Sequence, residues 1–198
     1  MSILIAVKKG DTIFFGADTR GRVNGRVRNF LHEWDFKVQK TAEGMVVGMV
    51  GDDNVRKTLF ACNEIFDLDK KGRLTRKHII NEIIPKIRYI LKEEGFVKKE
   101  KGVLKEMECR FILAYKGDFF RILMSYDVNT GSDFFVTGRA SAFAEYAVSC
   151  IKPDDDVNQK IVEALDIVSK HSRVVSRPYV LIDTKDLEYK IVGGEDKC

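Results

Sequence analysis

Residues 2–9 (SILIAVKK) place five apolar side chains in succession, Ile3 to Val7. A run without alternation predicts a strand covered on both faces. Gly10-Asp11 supplies a tight turn and 12–17 (TIFFGA) the returning strand. A polar loop rich in Arg, Gly and Asn follows at 18–33. Apolar positions then predict strands at 34–40 and 45–50, joined by Ala42-Glu43-Gly44. From Asp52 the spacing turns helical. Val55, Leu59, Cys62, Ile65 and Phe66 recur on one face, Asp52 or Asp53 is the N-cap, and Gly72 is the stop. Thr75 caps a second helix with the stripe Ile79, Ile80, Ile83, Ile84, Ile87, Ile90 and Leu91, and Pro85 inside it predicts a kink or a break.

A basic connector covers 95–107. Strands at 109–115 and 119–126 form a hairpin around Lys116-Gly117-Asp118, the same triplet that turns the first hairpin at 9–11. A short strand at 134–137 ends at Gly138. Helices are expected at 140–151 and 156–172, separated by Pro153-Asp154-Asp155-Asp156, and a last hairpin at 179–183 and 187–192, before a disordered tail at 193–198. Paired strands thus alternate with paired helices. Two antiparallel sheets stacked face to face, with a helix pair on each outer face, satisfy every apolar stripe at once. The expected class is α+β, a four-layer αββα sandwich forming one domain over 1–192.

The 198 residues suit a single core, and 44% hydrophobic with 32% charged residues is the balance of a water-exposed globule. No apolar run approaches the roughly 18 residues of a membrane span, and the apolar stretch at the N-terminus is too short for a signal peptide. Cys62, Cys109, Cys150 and Cys198 form no CxxC pair, which predicts reduced thiols in the cytoplasm. His32, His78 and His171 are far apart, so neither a metal site nor any other cofactor is expected. The net charge of +4 does not imply nucleic acid, because basic and acidic residues are interleaved and the densest basic stretch, 98–105, lacks aromatic side chains for stacking.

Three segments carry a resemblance. SILIAVKKGDTIFFGADTR resembles the first hairpin of proteasome β subunits and of the bacterial HslV peptidase. FVTGRASAFAEYAVSC resembles their Gly-Ser-Gly turn and following helix, and IVEALDIVSKHS their penultimate helix. The resemblance spans about residues 2–192 and implies an N-terminal-nucleophile (Ntn) hydrolase. In such enzymes a hydroxyl on the first residue attacks an amide carbonyl while that residue's own α-amine acts as base. Carried over one position at a time, Ser2 falls on the nucleophile once Met1 is removed, and Asp18 on the supporting acid. Lys37 falls on the lysine that lowers the hydroxyl's proton affinity, and Gly51 on the oxyanion N–H. Thr19, Arg20 and Arg22 fall on the strand that pairs with peptide substrate.

The chain also departs from that pattern. Arg139 stands where the family has the Ser of Gly-Ser-Gly. Lys170 and His171 occupy the helix end where the family has an Asp, ahead of Ser172 and Arg173, so the carboxylate supporting the amine is expected to be missing. Two readings follow: an active amidohydrolase of peptide or small amide substrates, and a catalytically degenerate proteasome-like subunit kept for assembly or binding. Under either, the resemblance implies a homo-oligomer, with a ring and an ATPase partner as family associations, and no membrane partner.

Overall fold

The computed structural model describes residues 2–23, 26–96, 99–100, 103–104, 109–138, 141–173 and 175–193. In chain order the strands are β1 (Ile3–Lys9), β2 (Thr12–Asp18), β3 (Arg20–Val23), β4 (Arg26–Asn29), β5 (Val38–Lys40) and β6 (Val46–Gly51). Three helical segments follow: α1 (Asp53–Ala61), α2 (Arg76–His78) and α3 (Ile84–Glu93). Next come β7 (Lys99–Glu100), β8 (Val103–Leu104), β9 (Cys109–Tyr115), β10 (Asp118–Ile122), β11 (Val128–Asn129) and β12 (Phe134–Gly138). Helices α4 (Ser141–Ser149) and α5 (Val157–His171) and strands β13 (Tyr179–Asp183) and β14 (Lys190–Val192) complete the chain.

The long strands assemble into two five-stranded sheets, β12-β1-β2-β13-β14 and β11-β10-β9-β6-β5. Register is set by β1, which pairs antiparallel with β2 (Leu4 opposite Ala17) on one side and with β12 (Leu4 opposite Thr137) on the other. Alternate β1 residues enter different cores, which explains the unbroken apolar run. Leu4 and Ala6 join Phe15, Val38, Val46, Val50, Ile112, Phe119 and Phe135, contributed by both sheets. Ile3, Ile5 and Val7 join Ala144, Val148, Ile161, Leu165 and Val168 of α4 and α5. The other faces of β6, β9 and β10 place Val47, Met49, Phe111, Leu113 and Phe120 against Leu59, Ile83, Ile87 and Leu91 of the 53–93 helices. The sheets approach closely at Gly48, where a Cβ would lie 2.4 Å from a Leu4 methyl. The molecule is therefore a mixed α/β structure in which helices accompany two five-stranded sheets and, among the described residues, two small two-stranded ones.

Several expected elements differ. The strand expected at 34–40 is a single helical turn, Glu33–Asp35, followed by the short β5. There the backbone closes back on itself, with Asp35 N–H donating to His32 O and Phe36 N–H to Glu33 O. Trp34 is 71% exposed and its ring stacks on His32. The loop expected at 18–33 contains the β3–β4 hairpin, which its polar sequence concealed because the hairpin belongs to neither large sheet. The single helix expected from Thr75 passes through a π turn at Ile79–Ile83, and Pro85 sits in the first turn of α3. The regular α-helix is thus broken immediately before Pro85, whose ring nitrogen has no N–H to continue the backbone ladder. The strand expected at 119–126 ends at Ile122, where Tyr126 N–H closes a turn on Leu123 O before β11. The connector at 95–107 and the tail at 193–198 fall largely outside the described residues. Among the described residues no helix is long and apolar enough to cross a membrane, and no group of His, Cys, Asp or Glu is arranged to hold a metal ion.

Candidate active site

The start of β1, the end of β2 and the residue before β5 converge. Ser2 precedes β1 and is 5% exposed. The next backbone group, Ile3 N–H, donates to Asp18 Oδ1 at 2.8 Å. Asp18, fully buried at the last position of β2, takes Lys37 Nζ on its other oxygen at 2.7 Å and also accepts the Arg20 N–H at 3.2 Å. The Lys37 ammonium donates further to the carbonyls of Asp18, at 2.8 Å, and Arg20. Its three donors thus meet three acceptors, the condition under which a buried charge is tolerated. Burial lowers the Lys37 pKa, Asp18 opposes that shift, and the nearby Arg56 guanidinium reinforces it.

Lys37 is only 2% exposed and directly precedes β5; its carbonyl accepts the Met49 N–H of β6 at 2.7 Å. That bond joins β6 to the Lys37 backbone, and Gly51 follows Met49 by two residues at the end of β6. Gly51 has φ +147, a conformation that favours glycine. It is exposed and leads into Asp52, whose side chain caps α1 by accepting the Asn54 and Val55 N–H groups. Gly51 therefore sits where the positive end of a helix dipole meets a strand end.

Gly138 closes the other flank. It pairs with Ile3 at φ +120, and a Cβ there would lie 2.1 Å from the Ser2 carbonyl oxygen. Only glycine lets β12 finish against Ser2. Arg139, the next residue, lies outside the described residues.

The proposed peptide strand is placed less simply. Thr19 is buried, and both its hydroxyl (2.9 Å) and its N–H (3.3 Å) donate to the Pro178 carbonyl, so its side chain turns into the protein. Arg20 NH1 donates to the Arg173 carbonyl at 2.7 Å, tying β3 to the segment after α5. Arg22 is paired with Val27 through the backbone, and its side chain lies outside the described residues. Lys170 and His171 are exposed, and His171 stacks on Phe143 at 4.6 Å. One turn before Lys170, α5 carries the carboxylate of Asp166. It accepts from Arg177 and, at 3.0 Å, from the hydroxyl of Tyr179, the residue opposite Asp18 across the sheet. The Arg177 guanidinium holds the Asp166 carboxyl below its usual range, and burial pushes the Tyr179 phenol up to about 12. The Ser169 hydroxyl donates to the Asp166 carbonyl, and Asp166 was not singled out from the sequence. Arg56, buried behind Lys37, carried no signal at all.

No protein-family model matches the sequence, and no curated protein matches it. Solved structures do match. BPH of Thiobacillus denitrificans aligns with TM-score 0.73 at 17% identity, covering 94% of this chain and 98% of that one. Anbu of Yersinia bercovieri, an ancestral beta-subunit, aligns with TM-score 0.70 at 13% identity, covering 98% and 88%. The eukaryotic HslV of Trypanosoma brucei aligns with TM-score 0.61 at 16% identity, covering 91% and 98%. Near-complete coverage in both directions at such low identity means that the topology is shared while most side chains are not. The chain has a divergent form of the proteasome-β/HslV-like Ntn fold.

Proposed function

We propose that this chain is a proteasome-like Ntn amidohydrolase with Ser2 as nucleophile, built as one αββα domain. The observation that carries the reading is the buried Lys37–Asp18 pair bonded to the peptide N–H that follows Ser2. Burying an ion pair rarely stabilises a fold more than apolar packing would. This one stands at the first residue of β1, where Gly138 permits a close approach of β12 to Ser2.

Removal of Met1 gives Ser2 a free α-amine, whose ordinary pKa near 8 suits a base at neutral pH. The amine takes the Oγ proton as Oγ bonds to the amide carbon. The positive charge of Lys37 lowers the proton affinity of Oγ. Negative charge builds on the carbonyl oxygen, where the Gly51 N–H at the start of α1 donates to it. Collapse breaks the C–N bond, and the departing amine takes the proton from the α-ammonium. Water, deprotonated by the same amine, then cleaves the seryl ester and returns Ser2 to its starting state. β3 pairs with β4 on one edge and with no described strand on the other, leaving an edge on which an extended peptide adds as a strand. The chain acts as a homo-oligomer, in keeping with the helical assembly of Pseudomonas aeruginosa Anbu.

Intact mass of protein made from its own start codon, before and after a β-lactone, tests this reading; epoxomicin, which Thiobacillus denitrificans BPH binds, is a second probe. Loss of Met1 and one adduct that disappears in Ser2→Ala are expected. A processed chain that never labels refutes the catalytic reading and leaves the non-catalytic subunit.

A further inference from the structure

Arg56 is 1% exposed and belongs to α1, yet it touches none of the groups assigned a chemical step above. Its NH1 donates to two successive carbonyls, Asp35 O and Phe36 O, each at 2.9 Å, and these residues immediately precede Lys37. Its NH2 reaches Asp53 Oδ1 at 3.4 Å, in the first turn of the same helix, and its Nε is buried without a hydrogen-bond partner among the described residues. The next residue, Lys57, pairs with the Asp35 carboxylate at 2.8 Å, so α1 grips residues 35–36 twice.

A guanidinium in this position is expensive to bury. Its ion pair is long, one donor is unused, and an apolar side chain of similar volume fills such a site at comparable or better stability. Fold stability alone does not account for it. The residues it holds do. Residues 30–37 connect the β3–β4 hairpin to β5 without sheet pairing, and Lys37 itself is outside β5. Besides its ammonium, Lys37 is held by its carbonyl, which accepts the Met49 N–H. The clamp acts on the two peptides that lead directly into Lys37.

We propose that Arg56 is a positioning residue of this site: by clamping the carbonyls of Asp35 and Phe36 it sets where Lys37 stands and couples that position to the helix that follows Gly51. The inference rests on the reading of the site given above and adds one residue to it. The charges facing Lys37 are Asp18 from β2, and Arg56 and Asp53 from α1. Arg56 is the cation among them, so its removal raises the Lys37 pKa, in line with the direction in which it now acts.

The test compares wild type, Arg56→Met and Arg56→Lys, each first shown by circular dichroism to fold. Protein carrying 13C in its lysine side chains is titrated by NMR, with the Lys37 signal assigned through Lys37→Arg. The rate of β-lactone labelling at Ser2 is followed in parallel against pH. In Arg56→Met, the Lys37 titration moves to higher pH. Labelling slows between about 10- and 100-fold, the scale of an ångström-sized misplacement, and its alkaline limb moves upward with Lys37. Arg56→Lys restores the titration, since the charge is kept, and part of the rate, since the two-carbonyl clamp is not. A Lys37 titration unchanged in Arg56→Met overturns the proposal. So does a shift in titration with an unchanged labelling rate. If wild type does not label at Ser2, the hydrolase reading fails, and the role of Arg56 is then decided by the backbone amide NMR shifts of residues 35–37: unchanged shifts in both Arg56→Met and Arg56→Lys overturn it.

Discussion

Replacing Asp18 by asparagine removes one charge and leaves the shape, which isolates the ion pair at the centre of the site. The amide of Asp18→Asn still offers one oxygen, but Lys37 loses the counter-charge bonded to it. Both side chains are essentially inaccessible to water, so solvent screening does not soften the loss. Removing one member of a buried pair costs about 3–5 kcal/mol. For a domain near 200 residues each kcal/mol moves Tm by roughly 2–4 °C, so Asp18→Asn is expected to melt on the order of 6–20 °C lower at pH 7. The pH dependence follows from the direction of the Lys37 shift. Its folded pKa is below the ordinary lysine value of 10.5, so between those two values the unfolded chain binds more protons and stability rises with pH. Stability from this group is full above 10.5 and is lost as pH falls through the depressed folded value. Asp18 opposes the depression; without it the folded value falls further and the window widens downward. The deficit of Asp18→Asn therefore shrinks as pH is raised from 7 toward 10. Thermal melts of both proteins across that range measure it. A Tm difference under about 2 °C at pH 7, or a deficit that grows with pH, would refute the idea that Asp18 serves as the counter-ion of a buried ammonium.

Two further substitutions probe the surroundings. Gly138→Ala meets both a left-handed backbone at φ +120 and a Cβ site 2.1 Å from Ser2 O; a loss of about 2 kcal/mol or more is expected in urea unfolding, with slower labelling of Ser2. A neutral outcome would mean that β12 does not end against Ser2. Arg177→Gln breaks the pair with Asp166, whose side chains are about one-half and one-third exposed, so screening limits the cost to under about 1 kcal/mol at pH 7. Asp166 is depressed by Arg177, so that small contribution is present above the ordinary carboxylate pKa and fades as pH falls through the lowered one. Acid titration of stability in the two proteins measures the difference.

The unbroken apolar run at Ile3–Val7 announced a strand inside the molecule, and the alternation of strand pairs with helix pairs carried the order of nearly every large element. Those signals are local: periodicity records which faces are covered, and Asp52 and Asp156 cap their helices through bonds to residues two and three positions on. Ser2, Asp18, Lys37 and Gly51 were named from the sequence because each stands at or beside an expected element end whose position along the chain resembles the family's, and the structure joins Asp18 and Lys37 beside the Ile3 N–H. Other features arise from contacts across long stretches of sequence. The β3–β4 hairpin has a polar sequence because it lies outside the two main sheets, so no apolar pattern marked it. Asp166 does not stand out in the sequence because its partners, Arg177 and Tyr179, come after the helix and reach it only once β13 lies beside β2. Arg56 sits next to Val55 on an amphipathic helix, and in the sequence it is indistinguishable from a surface arginine. Only the tertiary structure shows that residues 35–36 cover it, because a charge can be buried only where distant carbonyls converge to satisfy it, and no periodicity encodes that convergence.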